Sequence, residues 1–124
     1  MIFGTGIDLI EVERVATKIC KGEGFRELVF SEAEINYCEQ MANKYEHYAA
    51  RFAAKEAFLK ALGTGWATGT AFNEIEIINN QAGKPQINLK GKTANTIAAL
   101  KFNNISVSLS HLKTIATAIV IIEK

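Results

Sequence analysis

Two hydrophobic periods alternate along this chain, and each change of period marks an element. Residues 2–10 are apolar on both parities. Phe3, Ile7 and Leu9 lie on one side and Ile2, Gly4, Gly6, Asp8 and Ile10 on the other, which predicts a strand inside a sheet. The two glycines leave room for another element to approach the backbone beside Asp8. The period then lengthens. Val12, Val15, Ala16 and Ile19 recur at i, i+3, i+4 and i+7, giving a helix over Glu11 to Lys21 that the Gly22-Glu23-Gly24 break ends. Phe25 to Phe30 reads as a short helical turn. Ser31-Glu32-Ala33-Glu34 is a capping box opening a helix to about Met41 that buries Ile35, Cys38 and Met41.

The longest helical stretch runs from Tyr45 to Leu62, with Asn43 as its cap and Gly63 as its left-handed stop. One stripe holds Tyr45, Tyr48, Ala49, Phe52 and Leu59, with Glu56 in its middle and Lys60 at its edge. The opposite side holds Ala50, Ala54, Ala57, Phe58 and Ala61. A helix apolar over most of its circumference is an internal element. Beyond it, Trp66 to Thr70 is a flexible run between glycines. Phe72 to Ile78 alternates as a half-exposed strand, Asn79 to Gly83 turns, and Pro85 opens a second strand through Leu89, so the pair reads as a hairpin. Thr93 to Leu100 suggests a helix. Ile105 to His111 and Thr114 to Glu123 suggest a closing pair of strands.

Composition narrows the class. The chain has 124 residues, 48% hydrophobic and 22% charged, which fits one globular domain over residues 1–124 with one modest core. A net charge of +1 argues against a strongly basic nucleic-acid binder. Cys20 and Cys38 lack metal-ligand spacing, and Cys38 reads as a core thiol. No basic leader precedes an apolar core at Met1 to Gly6, and the longest apolar run, Ala118 to Ile122, is far short of the roughly 20 residues that span a bilayer. The expectation is a soluble cytoplasmic protein with no membrane and no nucleic-acid partner.

Candidate chemistry rests on few residues, each with two readings. Glu56 either pairs with Lys60 at i, i+4 on a solvated face or serves a metal or ligand, a choice sharpened by its apolar neighbours. Asp8 either caps the helix after it or supplies a metal carboxylate. His111 shares parity with Val107 and Leu109 and ends an inward row. It is either a core histidine or a group within reach of a ligand phosphate. Arg14, Lys18 and Lys21 share a helix face, and with Arg26 they make four basic residues against one acid, Glu23. That face is either simply solvated or docks an acidic partner helix. Gly63-Thr64-Gly65 follows a helix, whereas a phosphate loop precedes one. No nucleophile–base pair stands out. Two carboxylates suit Mg²⁺, and a lysine beside them favours a phosphate-bearing ligand, so the residues support a metal-assisted phosphoryl or diphosphate reaction.

Gly6-Ile7-Asp8 with Arg14 six residues after the aspartate, Phe52-Ala53-Ala54-Lys55-Glu56-Ala57 with Lys60-Ala61, Gly83-Lys84-Pro85 and Ser108-Leu109-Ser110-His111 together resemble holo-acyl-carrier-protein synthase, the small single-domain group of the 4′-phosphopantetheinyl transferases. The resemblance covers essentially the whole chain. It implies an α+β fold, mainly an antiparallel sheet packed on the long central helix. It implies Mg²⁺-dependent transfer of the 4′-phosphopantetheine arm of coenzyme A to a serine of apo acyl carrier protein, leaving adenosine 3′,5′-bisphosphate. Asp8 and Glu56 would hold the metal, Lys60 would neutralise the transferred phosphate, and His111 and Arg51 would contact the coenzyme. Arg14, Lys18, Lys21 and Arg26 would meet the acidic carrier. The group is homotrimeric with sites between subunits, and its nucleophile belongs to the carrier. The proton acceptor for that hydroxyl stays open between Glu56 and water. Two positions depart from the pattern: Leu28 stands where an arginine is usual, and Leu112 where a small hydroxylic residue is common.

Overall fold

The computed structural model describes residues 1–64 and 69–124. The flexible run expected over Trp66 to Thr70 thus lies mostly outside the described residues. The chain opens with strand β1 (Ile2–Glu11), then helices α1 (Val12–Cys20), α2 (Phe25–Val29), α3 (Glu32–Glu39) and α4 (Lys44–Leu62). Hairpin β2 (Ile75–Asn79) and β3 (Pro85–Leu89), helix α5 (Gly91–Ala98) and the closing strands β4 (Asn104–His111) and β5 (Ile115–Glu123) follow. The fold is α+β, with every described strand pair antiparallel.

Helix α4 is the internal element that its composition predicts, packed against β1 and β5. Glycine sets how closely it lies. A Cβ on Gly6 would collide with the backbone carbonyl of Ala57, and one on Gly4 with that of Ala61. Small residues on the helix and glycine on the strand let the two backbones meet, and this approach sets Asp8 against the C-terminal half of α4. Because the obstacle is backbone, Gly6→Ala is expected to cost at least about 3 kcal/mol in denaturant titration. A loss below about 1 kcal/mol would contradict this packing.

Three expectations need correction. First, β1 is an edge strand, not an interior one, since the three-stranded sheet runs β1-β5-β4. Helix α4 covers one of its faces, while on the other Ile7 is 63% and Leu9 67% exposed, continuous with Ile119 on β5. Both parities are apolar, yet this chain alone covers only one. Second, the stripe with Glu56 in its middle is buried only in part: Tyr48, Ala49 and Leu59 are buried, but its stretch around Glu56 is not. Ala50, Ala54, Ala57, Phe58 and Ala61 are buried, whereas Phe52 and Glu56 are half-buried and Lys60 is exposed. The small side goes against the sheet because only it permits close approach. Third, the half-exposed strand at 72–78 starts late and is buried. Phe72–Glu74 forms a 3-10 turn, and Glu76 is buried in β2, where Ser31 Oγ (2.6 Å) and Asn88 Nδ2 (2.9 Å) donate to its carboxylate.

The capping box forms as expected. Glu34 N donates to Ser31 Oγ at 3.2 Å and Ser31 N to Glu34 Oε1 at 2.9 Å. Cys38 is a core thiol, pushed up to about 12 by burial and so unreactive.

Candidate active site

Asp8 lies on the face of β1 that carries Gly4 and Gly6, and Glu56 lies across from it on α4. Lys60, one turn beyond Glu56, crosses to the strand. Its Nζ donates to Ile7 O at 3.0 Å and Asp8 Oδ1 at 3.1 Å. The local Glu56–Lys60 pair is therefore not the arrangement formed. Nor does Asp8 cap α1, whose N-cap is Glu11, without a side-chain cap. Thr117 Oγ1 donates to the main-chain oxygen of Asp8 at 2.8 Å and steadies it from β5.

Burial pushes the Glu56 carboxyl up, and the charge of Asp8 adds to this, while Lys60 and Lys18 pull the other way. Lys60 pairs with Asp8, and the cations do not outweigh burial at Glu56. Asp8 and Glu56 line one cleft of about 310 Å³ together with Ile10, Arg14, Lys18 and Phe52. Arg14 and Lys18 are exposed one turn apart on α1, as the basic-face reading requires. A larger, apolar pocket of about 510 Å³ shares Lys18, Phe25, Phe52 and Glu56 with the cleft and continues to Leu28 and Phe72. Lys18 Nζ stands 5.5 Å over the Phe25 ring, at the boundary between the two.

Not every candidate joins this cleft. Lys21 is exposed just past α1. Arg26 is engaged by its own chain, 2.7 Å from Glu27 and 3.3 Å from Glu39, and lines a different pocket. Leu28 is left exposed, 72% accessible, at the rim of the apolar pocket.

His111 and Arg51 gather toward the other end of α4. His111 Nδ1 is 2.8 Å from Glu46 Oε1, in the first turn of the helix. Glu46 precedes Glu56 by ten residues, about 15 Å along the axis. The His111 ring meets that of His47 edge-on at 5.1 Å, His47 meets Tyr37 at 5.7 Å, and the Arg51 guanidinium carbon sits 4.3 Å over Tyr37. Arg51 is only 2% exposed, and its buried Nε has no hydrogen-bond partner among the described residues. At that burial it presents almost no surface to a ligand. Leu112 is exposed beside this group.

Three buried or half-buried polar contacts escape a reading by pattern. Lys55 is fully buried, pairing Glu34 at 2.7 Å. Glu46 and His47 hold His111. The chain has two histidines, and that count is the one sequence signal for their meeting.

A model of the 4′-phosphopantetheinyl transferase superfamily matches residues 4–119. The chain belongs to this superfamily. Relatives named holo-[acyl-carrier-protein] synthase are similar over their length: one from Cytophaga hutchinsonii is 51% identical over 100% of this chain and 99% of its own. One from Ruminiclostridium cellulolyticum is 48% identical over 98% and 91%. Among solved structures, the holo-[acyl-carrier-protein] synthase of Neisseria meningitidis superposes with a TM-score of 0.92 at 30% identity, covering 100% of both chains. The Bacillus anthracis enzyme in complex with CoA (3′,5′-ADP) gives 0.83 at 35% identity, covering 100% of this chain and 98% of its own. In this transferase the cleft holding Asp8 and Glu56 is the candidate centre, and His111 marks a second, separate cluster.

Proposed function

We propose that this chain moves the 4′-phosphopantetheine arm of coenzyme A onto a serine hydroxyl of an apo acyl carrier protein and releases adenosine 3′,5′-bisphosphate. One observation carries the reading: Asp8, Glu56, Arg14 and Lys18 share a cleft, with Lys60 hydrogen-bonded to Asp8. The names of the relatives and the coenzyme-bound neighbour support it.

The residues fit a hard divalent ion. Burial and then the charge of Asp8 push the Glu56 carboxyl up, a cost that a bound cation would relieve, and no third ligating side chain joins the two acids among the described residues. The remaining positions are then free for water and ligand oxygens, the pattern Mg²⁺ prefers. Bound by Asp8 and Glu56, Mg²⁺ supplies charge neutralisation and orientation to the diphosphate. The protein's own part is positioning. Lys60 offers its ammonium to the oxygens of the transferred phosphate, and Arg14 and Lys18 draw in the acidic helix that carries the serine. A bond forms from the serine oxygen to the β-phosphorus while the bond to the leaving bisphosphate breaks. The hydroxyl proton passes to Glu56 or to water, and this chain need supply no nucleophile of its own.

In this reading the working unit is a homotrimer. The apolar outer face of β1 and β5, with Ile7, Leu9 and Ile119, is a surface that a second copy buries. A neighbouring copy also supplies what one chain separates: the His111 cluster of one subunit beside the Asp8–Glu56 cleft of the next, where it contacts the coenzyme. Arg51 adds positive charge from behind that cluster. Ile7→Glu is expected to yield monomers by sedimentation velocity and to lose most coenzyme binding. A trimer binding coenzyme normally would count against this interface. The enzyme then works in the cytoplasm, activating carriers for fatty acid synthesis; no helix among the described residues is long and apolar enough to cross a membrane.

The reaction class is tested by following adenosine 3′,5′-bisphosphate. Its release from coenzyme A is expected only when apo carrier is present. Release without a carrier would indicate a diphosphate hydrolase instead.

A further inference from the structure

His111 arrives at the end of β4, 65 residues from Glu46, yet the two side chains meet at 2.8 Å, both only partly exposed. A carboxylate accepts and does not donate, so the hydrogen on this contact sits on Nδ1 of the imidazole. That is not the tautomer a free neutral histidine favours, which carries its proton on Nε2. The pairing thus selects the ring's tautomer and leaves Nε2 as the one ring nitrogen a ligand can meet.

His47 fixes the ring from its side. It contacts His111 edge-on and backs onto Tyr37, which in turn carries the Arg51 guanidinium. Burial lowers the basicity of His47, and His111 and Arg51 lower it further, while Glu46 opposes them. His47 is thereby held toward its neutral form beside the Arg51 guanidinium. On β5, the residue opposite His111 is Ala116, which brings no competing charge. Glu46, His47, Tyr37 and Arg51 are therefore the polar groups that α3 and α4 set around the ring.

We propose that Glu46 is the positioning residue of His111, with His47 as the wall that keeps the ring in place, so that Nε2 faces the phosphate-bearing part of the coenzyme. This rests on the reading of His111 as a coenzyme contact. Glu46 itself touches no substrate and acts through the imidazole. A protonated ring presents Nε2–H to an anion, and a ring freed from Glu46 would turn or take the other tautomer.

Long-range ¹H–¹⁵N spectra of the full-length protein test the placement without reference to activity. The neutral His111 ring is expected to carry its proton on Nδ1. Glu46→Ala is expected to return it to the Nε2–H form, and Glu46→Gln, which keeps an acceptor, to preserve most of the original signature. In steady-state kinetics Glu46→Ala should raise KM for coenzyme A about tenfold, mainly at the expense of KM rather than kcat, with Glu46→Gln partly restoring it. An Nε2–H ring in the unaltered protein, or a Glu46→Ala variant with unchanged tautomer and KM, would overturn the proposal. His111→Ala separates this from the reading beneath it. If that variant binds coenzyme A normally while the Nδ1–H signature stands, the coenzyme role of His111 fails and the tautomer assignment survives.

Discussion

Asp8→Asn and Glu56→Gln are each expected to cut the transfer rate about a thousandfold or more while leaving the fold intact. Both substitutions keep shape and remove charge at the two positions where the cleft gathers acid. The reaction offers the protein little covalent chemistry, so its rate depends on holding and neutralising the diphosphate. Removing either acid takes away half of the proposed metal's protein ligands. The same change should not weaken folding. Burial and the neighbouring Asp8 already push the Glu56 carboxyl up, so in the absence of metal its charge is a burden. Glu56→Gln is therefore expected to melt at or slightly above the unaltered protein, as is common where function is held at a cost in stability. Normal turnover in either variant would remove the metal assignment, and a melting point well below the unaltered protein would mean that Glu56 is structural.

The second large effect lies one residue away. Lys55→Met is expected to destabilise the protein by about 3–5 kcal/mol. Lys55 has no exposed side-chain surface, and its Nζ donates to Glu34 Oε1 at 2.7 Å, Phe72 O at 2.8 Å and Ile75 O at 2.6 Å. All three ammonium hydrogens are thereby used. Glu34 is equally enclosed, accepting from Ser31 N at Oε1 and from Ile77 N at Oε2, each at 2.9 Å. Burial holds the lysine below its ordinary range, with Glu34 opposing that shift. Without the cation a buried carboxylate loses its ion pair and two carbonyls each lose one donor. At one fixed protein concentration the melting temperature should fall on the order of 10–20 °C. Lys55→Met with Glu34→Leu should recover more than half of the loss, because apolar replacement of both partners is far cheaper than orphaning one. A single variant within about 1 kcal/mol of the unaltered protein would contradict this account of the network. Its place matters for function too, since Lys55 ties the return of the chain at Phe72 and Ile75 to the helix turn that bears Glu56.

What the sequence made legible follows from the range of the forces involved. Helix α4 could be read because composition, Asn43 and Gly63 are local signals. The glycines of β1 announced a close approach that Ala57 and Ala61 fulfil. Asp8 and Glu56 stood out as acids among apolar neighbours, and the cleft brings them together with Arg14 and Lys18. Non-local choices stayed hidden. Lys60 sits one turn from Glu56 yet donates to Asp8, because the strand lies closer to its ammonium than local spacing suggests. Lys55 reads as an ordinary helix residue until the hairpin folds over it. Glu46 and His47 are unremarkable until β4 delivers His111 to them. Arg26 looks available by charge count, but Glu27 and Glu39 already occupy it. The edge position of β1 is not legible for a physical reason: apolar residues on both faces do not tell how many strands of the sheet lie on either side.

The most direct measurement is the intact mass of a carrier protein. Apo acyl carrier protein incubated with this protein, coenzyme A and Mg²⁺ should gain the mass of one phosphopantetheine arm, and should gain nothing when a chelator replaces the metal or when Asp8→Asn replaces the enzyme. A competent carrier that stays at its apo mass under the complete conditions would contradict the account.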